Sequence, residues 1–149
     1  MRNWLITIVL ISCLNLIGCV TQYGNYASTS NLFNKTMAND AVSQLIRLYP
    51  PAHTRFTLKQ PIKDSFGLSL VSLLRTKGYS VVEVTTRPLN NTLIIPTASS
   101  GIDLFYLVDS PIKNRLYRVT LMVGQQSLSR PYLVHNNQLV ASGYWVRKE

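Results

Sequence analysis

The feature that most constrains this chain is an apolar stretch near its N-terminus that is followed directly by a polar segment. Residues 4–17 are almost all apolar, and a short basic start containing Arg2 precedes them. A run of about fourteen residues is shorter than the roughly 20 that a membrane-spanning helix needs, and it suits the core of a signal peptide. We therefore expect residues 1–18 to be a cleaved leader, so that only the chain after them folds.

The leader ends in the sequence Leu16-Ile17-Gly18-Cys19. This run resembles the lipobox of bacterial lipoproteins, in which an aliphatic residue at minus three and a small residue at minus one precede a cysteine. The resemblance implies that Cys19 becomes the first residue and carries several acyl chains, which together give stable anchoring. The alternative is an ordinary cleaved signal with an incidental cysteine. Val20 stands where aspartate would resemble an inner-membrane retention signal, which favours the outer membrane.

Cysteine content and charge bound what the mature domain can do. Cys13 lies in the leader, so the domain has no disulfide and depends on core packing. The chain has 15 basic and 6 acidic side chains, and loss of Arg2 leaves 14 against 6, or +8. Such a charge suits nucleic acid, an anionic membrane or protein surface, or solubility alone. Since an anchored, secreted protein rarely meets nucleic acid, direct nucleic-acid binding is disfavoured and an anionic surface is favoured.

The segment after the lipobox is polar and uncharged and follows neither a strand nor a helix period. We expect residues 19–34 to form the lipidated N-terminus and a flexible linker, in which residues 21–34 span at most about 50 Å. The domain at 35–149 would then stand off the membrane. The alternative is a segment that docks on a partner and orders on binding, because it contains three aromatic residues, Tyr23, Tyr26 and Phe33.

Hydrophobic periodicity predicts two helices and a mainly antiparallel sheet of about five strands. The first helix is expected over 35–49, before Pro50-Pro51, and the second begins after Asp64 as its cap and ends at Gly78. The segments that alternate or read as strands are 54–60, 79–86, 104–108, 115–123, 127–134 and 139–147. The last strands form a meander through turns at Gly124-Gln125 and Asn136-Asn137. The predicted fold is α+β, with both helices packed on one face.

Two local features interrupt this pattern. Residues 87–102 have no clear period and predict a long loop, within which residues 93–95 are expected to form a short strand or a packed loop. The alternative for that triplet is an exposed apolar contact. Pro131 lacks a backbone N–H, so we expect part of its strand to lie at a sheet edge.

Catalytic and metal-binding patterns are absent from the sequence. His53 and His135 are far apart in the chain and lack the neighbours of a zinc site, and no GxSxG, P-loop or GxGxxG motif occurs. Ser65 begins a helix and has no partner base. We therefore predict no catalytic residue, no metal, no cofactor and no small-molecule substrate, and a protein that is not an enzyme.

An ordered set of short segments covers most of the mature chain. They are YPPAHTR at 49–55, DSFG at 64–67, LR at 74–75, GYSV at 78–81, LYRVTLMVG at 116–124, QSLSR at 126–130 and GYWVR at 143–147. With the lipobox, this set resembles the TrbH family of conjugal transfer lipoproteins, components of the type IV secretion systems of conjugative plasmids. The segment 87–102 matches no part of that pattern.

The resemblance implies a structural subunit that is lipid-anchored at the outer membrane, faces the periplasm and contacts other subunits of the secretion channel. The order of elements is also similar to small N-terminal domains of secretins, a weaker analogy. The alternative function is a pilotin-like or cell-envelope-binding lipoprotein that escorts or anchors a secretion component. A cell-envelope hydrolase would need a clustered acid or nucleophile, which the sequence lacks.

The candidate partner interface lies on the last two predicted strands. Edge strands pair with other chains, and aromatic and arginine side chains often anchor interfaces. If the final strand alternates, one of Tyr144 and Trp145 must point outward. The candidate contact residues are Arg130, Tyr132, Tyr144 and Trp145.

Overall fold

The protein is described by a computed structural model over residues 23–83, 85–86, 93–94 and 101–149. In these residues two helices pack on one face of an eight-stranded mixed sheet, and a separate pair of short strands forms a second sheet. The α+β class and the helix arrangement are those predicted, with more strands than the five or so expected. The predicted leader and Cys19 lie outside the described residues.

The elements follow one another in this order along the chain. They are β1 (Gly24–Asn25), α1 (Asn31–Leu48), a 3-10 turn (Pro51–His53), β2 (Arg55–Leu58), α2 (Ser65–Thr76), β3 (Ser80–Glu83), β4 (Thr85–Thr86), β5 (Leu93–Ile94), β6 (Ile102–Ile112), β7 (Leu116–Val123), β8 (Gln126–His135), β9 (Gln138–Ala141) and β10 (Val146–Lys148). The main sheet has the order β10-β8-β7-β6-β2-β3, with β9 also on β8 and β1 also on β6. The pairs among β1, β2, β3 and β6 are parallel, and those of the C-terminal meander are antiparallel.

Helix α1 begins four residues before the predicted start, at Asn31. The reason is an N-cap: the Ser30 hydroxyl accepts a hydrogen bond from the backbone N–H of Phe33 at 3.2 Å. Upstream, Gly24 and Asn25 pair with β6, and the N–H of Tyr26 donates to the carbonyl of Val108. Regular structure therefore begins upstream of residue 35, with Gly24–Asn25 on the sheet and α1 from Asn31.

Helix α2 begins and ends where the sequence predicts. The Asp64 carboxylate accepts a hydrogen bond from the N–H of Gly67 at 2.9 Å and caps the first turn. Gly78 has a φ of +88°, the left-handed conformation that ends many helices. The predicted apolar stripe is buried against the sheet at Phe66, Leu70 and Leu74.

Strands β7, β8 and β9 form the antiparallel meander that the sequence predicts. Asn136 and Asn137 both have positive φ, as the two-residue hairpin between β8 and β9 requires. Of the two expectations for residues 93–95, a short strand or a packed loop, the structure has the strand, at Leu93–Ile94, which pairs with Thr85–Thr86. The other residues between 87 and 100 lie outside the described set.

The last predicted strand is interrupted beside Pro131. Ala141 pairs with Tyr132 and Val146 pairs with Ser129, so four residues on one side face two on the other. The carbonyl oxygen of Pro131 accepts a hydrogen bond from the N–H of Ser142. In an antiparallel pair the nitrogen and the carbonyl of one residue face the same neighbour, so the Pro131 nitrogen also faces this side, where it has no hydrogen to donate. Pro131 thus breaks the pairing of β8 with its neighbour, although β8 itself is not at the edge of the sheet.

A buried glutamine completes the edge of β6 between β2 and β1. The side chain of Gln60 donates to the carbonyl of Tyr106 at 3.2 Å and accepts from its N–H at 2.9 Å. The amide group therefore stands in for one residue of a neighbouring strand. Without it, two buried backbone groups of the central strand would have no partner in this arrangement.

We expect Gln60→Ala to lower the free energy of unfolding by about 2–4 kcal/mol, because it leaves those two backbone groups unsatisfied. Urea denaturation followed by circular dichroism measures the change. Gln125→Ala, in the exposed turn between β7 and β8, is the matched control and should change stability by less than about 0.5 kcal/mol. Equal effects of the two substitutions would contradict the role of Gln60.

Candidate interaction site

The segment between β9 and β10 presents an aromatic residue to solvent. The Tyr144 side chain is 91 % exposed, whereas Trp145 next to it is partly buried and packs against the core. Gly143 adopts a φ of +125°, a region that side-chain-bearing residues rarely enter. Gly143 allows the chain to leave the sheet where the strand pairing is interrupted. The packing of Trp145 against the core brings the chain back to the sheet before β10.

Three side chains hold this segment against helix α1. Arg130 on β8 donates from Nη1 to both carboxylate oxygens of Asp40 on α1, at 2.9 Å each. The same arginine donates from Nε to the carbonyl of Gly143 at 2.9 Å. The Tyr132 hydroxyl donates to Asp40 at 2.6 Å. One guanidinium therefore connects the helix, strand β8 and the exposed loop.

Burial and the aspartate act together on Tyr132. Loss of solvent around its ring and the hydrogen bond to Asp40 raise the pKa of the Tyr132 hydroxyl far above its ordinary value of 10.0. The hydroxyl therefore stays protonated and donates to Asp40 across the neutral pH range. The carboxylate receives donors from both Arg130 and Tyr132, which compensates for its partial burial.

The four residues predicted as a partner interface occupy different environments. Tyr144 lies fully at the surface, and Arg130 is mostly covered by its own contacts. Tyr132 is 1 % exposed and belongs to the core, so its side chain is not available to a partner. Trp145 is partly buried, and its packing against the core holds the segment to the domain. One of Tyr144 and Trp145 was predicted to point outward, and Tyr144 is the exposed one.

A second tyrosine–aspartate contact ties helix α2 to the sheet. The Tyr106 hydroxyl on β6 donates to the Asp64 carboxylate, whose other oxygen caps the helix. Burial, followed by this hydrogen bond, raises the pKa of Tyr106 well above 10.0. A Cβ atom on Gly67 would lie 2.1 Å from the Tyr106 hydroxyl, so only glycine leaves room for the contact.

Neither tyrosine–aspartate contact was predicted from the sequence. A signal for one of them was present, because Tyr106 lies between Leu104 and Val108, alternate strand positions that are both buried. A buried tyrosine hydroxyl usually finds a hydrogen-bond partner. The sequence pattern did not indicate which acidic residue would accept this hydrogen bond.

The remaining residues singled out from the sequence are dispersed. His53 is exposed in the 3-10 turn, His135 is exposed at the end of β8, and Ser65 begins α2, where its hydroxyl accepts from Asn34. Among the described residues, no group of three or more histidine, cysteine or acidic side chains is placed to bind a metal ion. Neither described helix has the length and apolarity needed to cross a membrane.

Comparison with known proteins identifies one family. The family model described as "Conjugal transfer protein TrbH" matches residues 20–149, which is nearly the whole chain. No curated protein and no solved structure matches the chain.

The bridging role of Arg130 predicts a specific effect of Arg130→Lys. Lysine has a single nitrogen and cannot hold Asp40 and the Gly143 carbonyl together. We expect amide hydrogen exchange in β10 to become about tenfold faster, since one lost hydrogen bond to a charged group is worth about 1.5 kcal/mol. Arg47→Lys, on the exposed side of α1, is the control. Unchanged exchange in β10 would contradict the bridge.

The raised tyrosine pKa values predict loss of stability in alkali. In the unfolded chain, tyrosine ionises near pH 10, whereas Tyr106 and Tyr132 hold their protons in the folded protein. Their stabilising contribution is therefore complete below about pH 10 and decreases as the pH rises, by up to about 1.4 kcal/mol per pH unit for each residue. Urea denaturation between about pH 8 and pH 11 measures it. Tyr132→Phe should reduce the slope, and a slope equal to that of the unmutated protein would contradict the assignment.

Proposed function

The chain belongs to the TrbH family of conjugal transfer proteins, and on that premise we propose that it is a lipid-anchored structural subunit of a conjugative type IV secretion system. In this proposal the protein has no catalytic activity. It resides at the outer membrane, on the periplasmic face next to the channel core, and binds other channel subunits. The family match over residues 20–149 is the observation that carries the proposal.

The N-terminal sequence supports the anchor and the compartment. Leu16-Ile17-Gly18-Cys19 has the aliphatic, small and cysteine positions that lipoprotein processing uses, and the matched family region begins one residue after Cys19. Several acyl chains on one residue anchor a protein stably, while a single chain does not. Val20 in place of aspartate supports the outer membrane as the destination.

The exposed segment around Tyr144 supports a role in protein contacts. Aromatic side chains on a rigid, presented segment are typical anchors of protein interfaces. Arg130 and Trp145 hold the segment in place, so little conformational entropy is lost when Tyr144 is buried by a partner. The high positive charge of the domain favours an acidic surface on that partner.

Mating assays with a donor strain that lacks the native gene test the interface. We expect Tyr144→Ala to leave the protein folded and membrane-bound but to weaken its retention in the purified channel complex by about thirtyfold, the effect of losing an interface anchor worth about 2 kcal/mol. Transfer frequency should fall with it. Tyr26→Ala is the matched control, because Tyr26 is also a solvent-exposed tyrosine and lies far along the chain from the segment. Equal retention of both variants would contradict an interface at Tyr144.

The same donor strain tests the anchor and the alternative function. Cys19→Ser should move the protein from the outer-membrane fraction to the soluble periplasm and abolish transfer. A structural subunit remains in the assembled complex at fixed stoichiometry, whereas a pilotin-like escort leaves before assembly is complete. Purified complexes that contain the partners but lack this protein would overturn the structural role in favour of the escort.

A further inference from the structure

The face of the sheet opposite the helices is rich in apolar side chains. Strand alternation directs one set of residues of β6, β7 and β8 into the helix-covered core and the other set to this outer face. Thr120 and Ser129 are cross-strand neighbours on this outer face, and their hydroxyl oxygens lie 3.2 Å apart. Within the described residues no helix covers this outer face.

One complete cross-strand row of the outer face is apolar. Ile112 pairs with Leu116, Leu116 with Leu133, and Leu133 with Val140, so the row crosses four strands. Ile112 is 53 %, Val140 42 % and Leu133 40 % exposed, and Val146, two rows away on β10, is 64 % exposed. Contiguous exposed apolar side chains of this kind mark a contact surface.

Exposed cations lie beside this row and at the far end of the same face. Lys113 and Arg115 are exposed in the turn that joins the first two strands of the row, and Lys148 is exposed on β10. In the described part of the chain these three side chains make no ion pair, whereas the acidic residue nearest the row, Asp109, is paired with Arg118. The surface therefore combines apolar side chains with a net positive rim.

The start of the described chain lies on the same face. The Tyr23 ring stacks on Phe105 with 4.4 Å between ring centroids, and Phe105 belongs to the outward set of β6. Four peptide units join Cys19 to Tyr23, so their Cα atoms are at most about 14 Å apart. An acyl group on Cys19 is thus held close to the outer face, and the domain does not stand about 50 Å away as a free linker over residues 21–34 would allow.

We propose that the outer face of the sheet rests on a phospholipid surface with anionic headgroups, with the Ile112–Leu116–Leu133–Val140 row in contact with the bilayer. The inference rests on the proposed lipidation of Cys19. The short tether sets which face approaches the membrane, the apolar row enters the interface, and Lys113, Arg115 and Lys148 contact the headgroups. Apolar burial combined with basic residues is the usual basis of binding at a membrane surface.

The sequence makes a direct test simple, because the lipidated chain has no cysteine other than the acylated Cys19. Val140→Cys on the outer face and Leu68→Cys on the solvent side of α2, which is 59 % exposed, each give one site for a fluorescent label. The lipidated proteins are reconstituted in vesicles of phosphatidylethanolamine and phosphatidylglycerol that carry nitroxide lipids. We expect the label at 140 to be quenched about threefold more strongly than the label at 68, since interfacial side chains lie about 5–10 Å into the boundary.

The rim is tested in the same vesicles by Lys113→Gln combined with Arg115→Gln. Each neutralised cation near an anionic surface weakens contact by about fivefold, so quenching at 140 should fall and become more sensitive to salt. Lys35→Gln combined with Lys77→Gln removes two exposed cations on the helix side and is the control. Equal effects of the two double variants would overturn the role of the rim.

The outcomes separate this inference from the proposed function. Incorporation of radioactive palmitate at Cys19 is measured on every preparation. A chain that incorporates no palmitate overturns both the anchor and the inference. An acylated chain whose labels at 140 and 68 are quenched equally overturns the inference alone. Cross-linking of Val140→Cys between two copies, or protection of the label only when channel subunits are added, would assign the face to a protein instead and overturn it as well.

Discussion

The architecture depends on two hydrogen bonds between buried strand tyrosines and helix aspartates. Tyr106 on β6 donates to Asp64 at the start of α2, and Tyr132 on β8 donates to Asp40 in α1. Each bond satisfies a hydroxyl that would otherwise be buried without a partner, so it fixes where its helix lies on the sheet. Residues 20–149 contain no cysteine and therefore no disulfide, so such contacts and apolar packing together select one helix arrangement.

The contact at Asp40 also organises the C-terminal segment. Arg130 shares the carboxylate with Tyr132 and reaches on to the Gly143 carbonyl, so the helix position and the path of residues 142–145 are set together. Pro131 supplies the break in strand pairing that makes the segment necessary. The exposure of Tyr144 is thus a consequence of core and edge constraints, and the proposed partner contact at this segment is based on that exposure.

Periodicity and turn chemistry predicted most of the fold. The Asp64 cap, the Gly78 stop and the Asn136-Asn137 hairpin each follow from local backbone requirements that a single residue type satisfies. The pairing of Gly24–Asn25 was not predictable in this way, because it depends on an available edge of β6. The start of α1 is set by the Ser30 cap, a local signal that lies upstream of the apolar stripe from which the helix was predicted. The tyrosine–aspartate contacts and the Gln60 bridge join residues 42 to 92 positions apart, beyond what local patterns specify. Of the four residues proposed as a partner interface, Tyr144 is exposed and Tyr132 is buried in the core. Alternation along the last strand predicted that one of Tyr144 and Trp145 points outward, but no local pattern indicated the burial of Tyr132.

The proposed function depends on where in the cell envelope the domain is held. The family match establishes a conjugal transfer protein. The lipid anchor at Cys19 belongs to the proposal, in which it determines the membrane, the face of the sheet presented to that membrane and the side left for partners. Intact-mass spectrometry of the protein extracted from donor-cell outer membranes tests this most directly. We expect a chain that begins at Cys19 and carries a diacylglycerol and an amide-linked acyl chain. A chain that retains residues 1–18, or that begins at an unmodified Cys19, would contradict it.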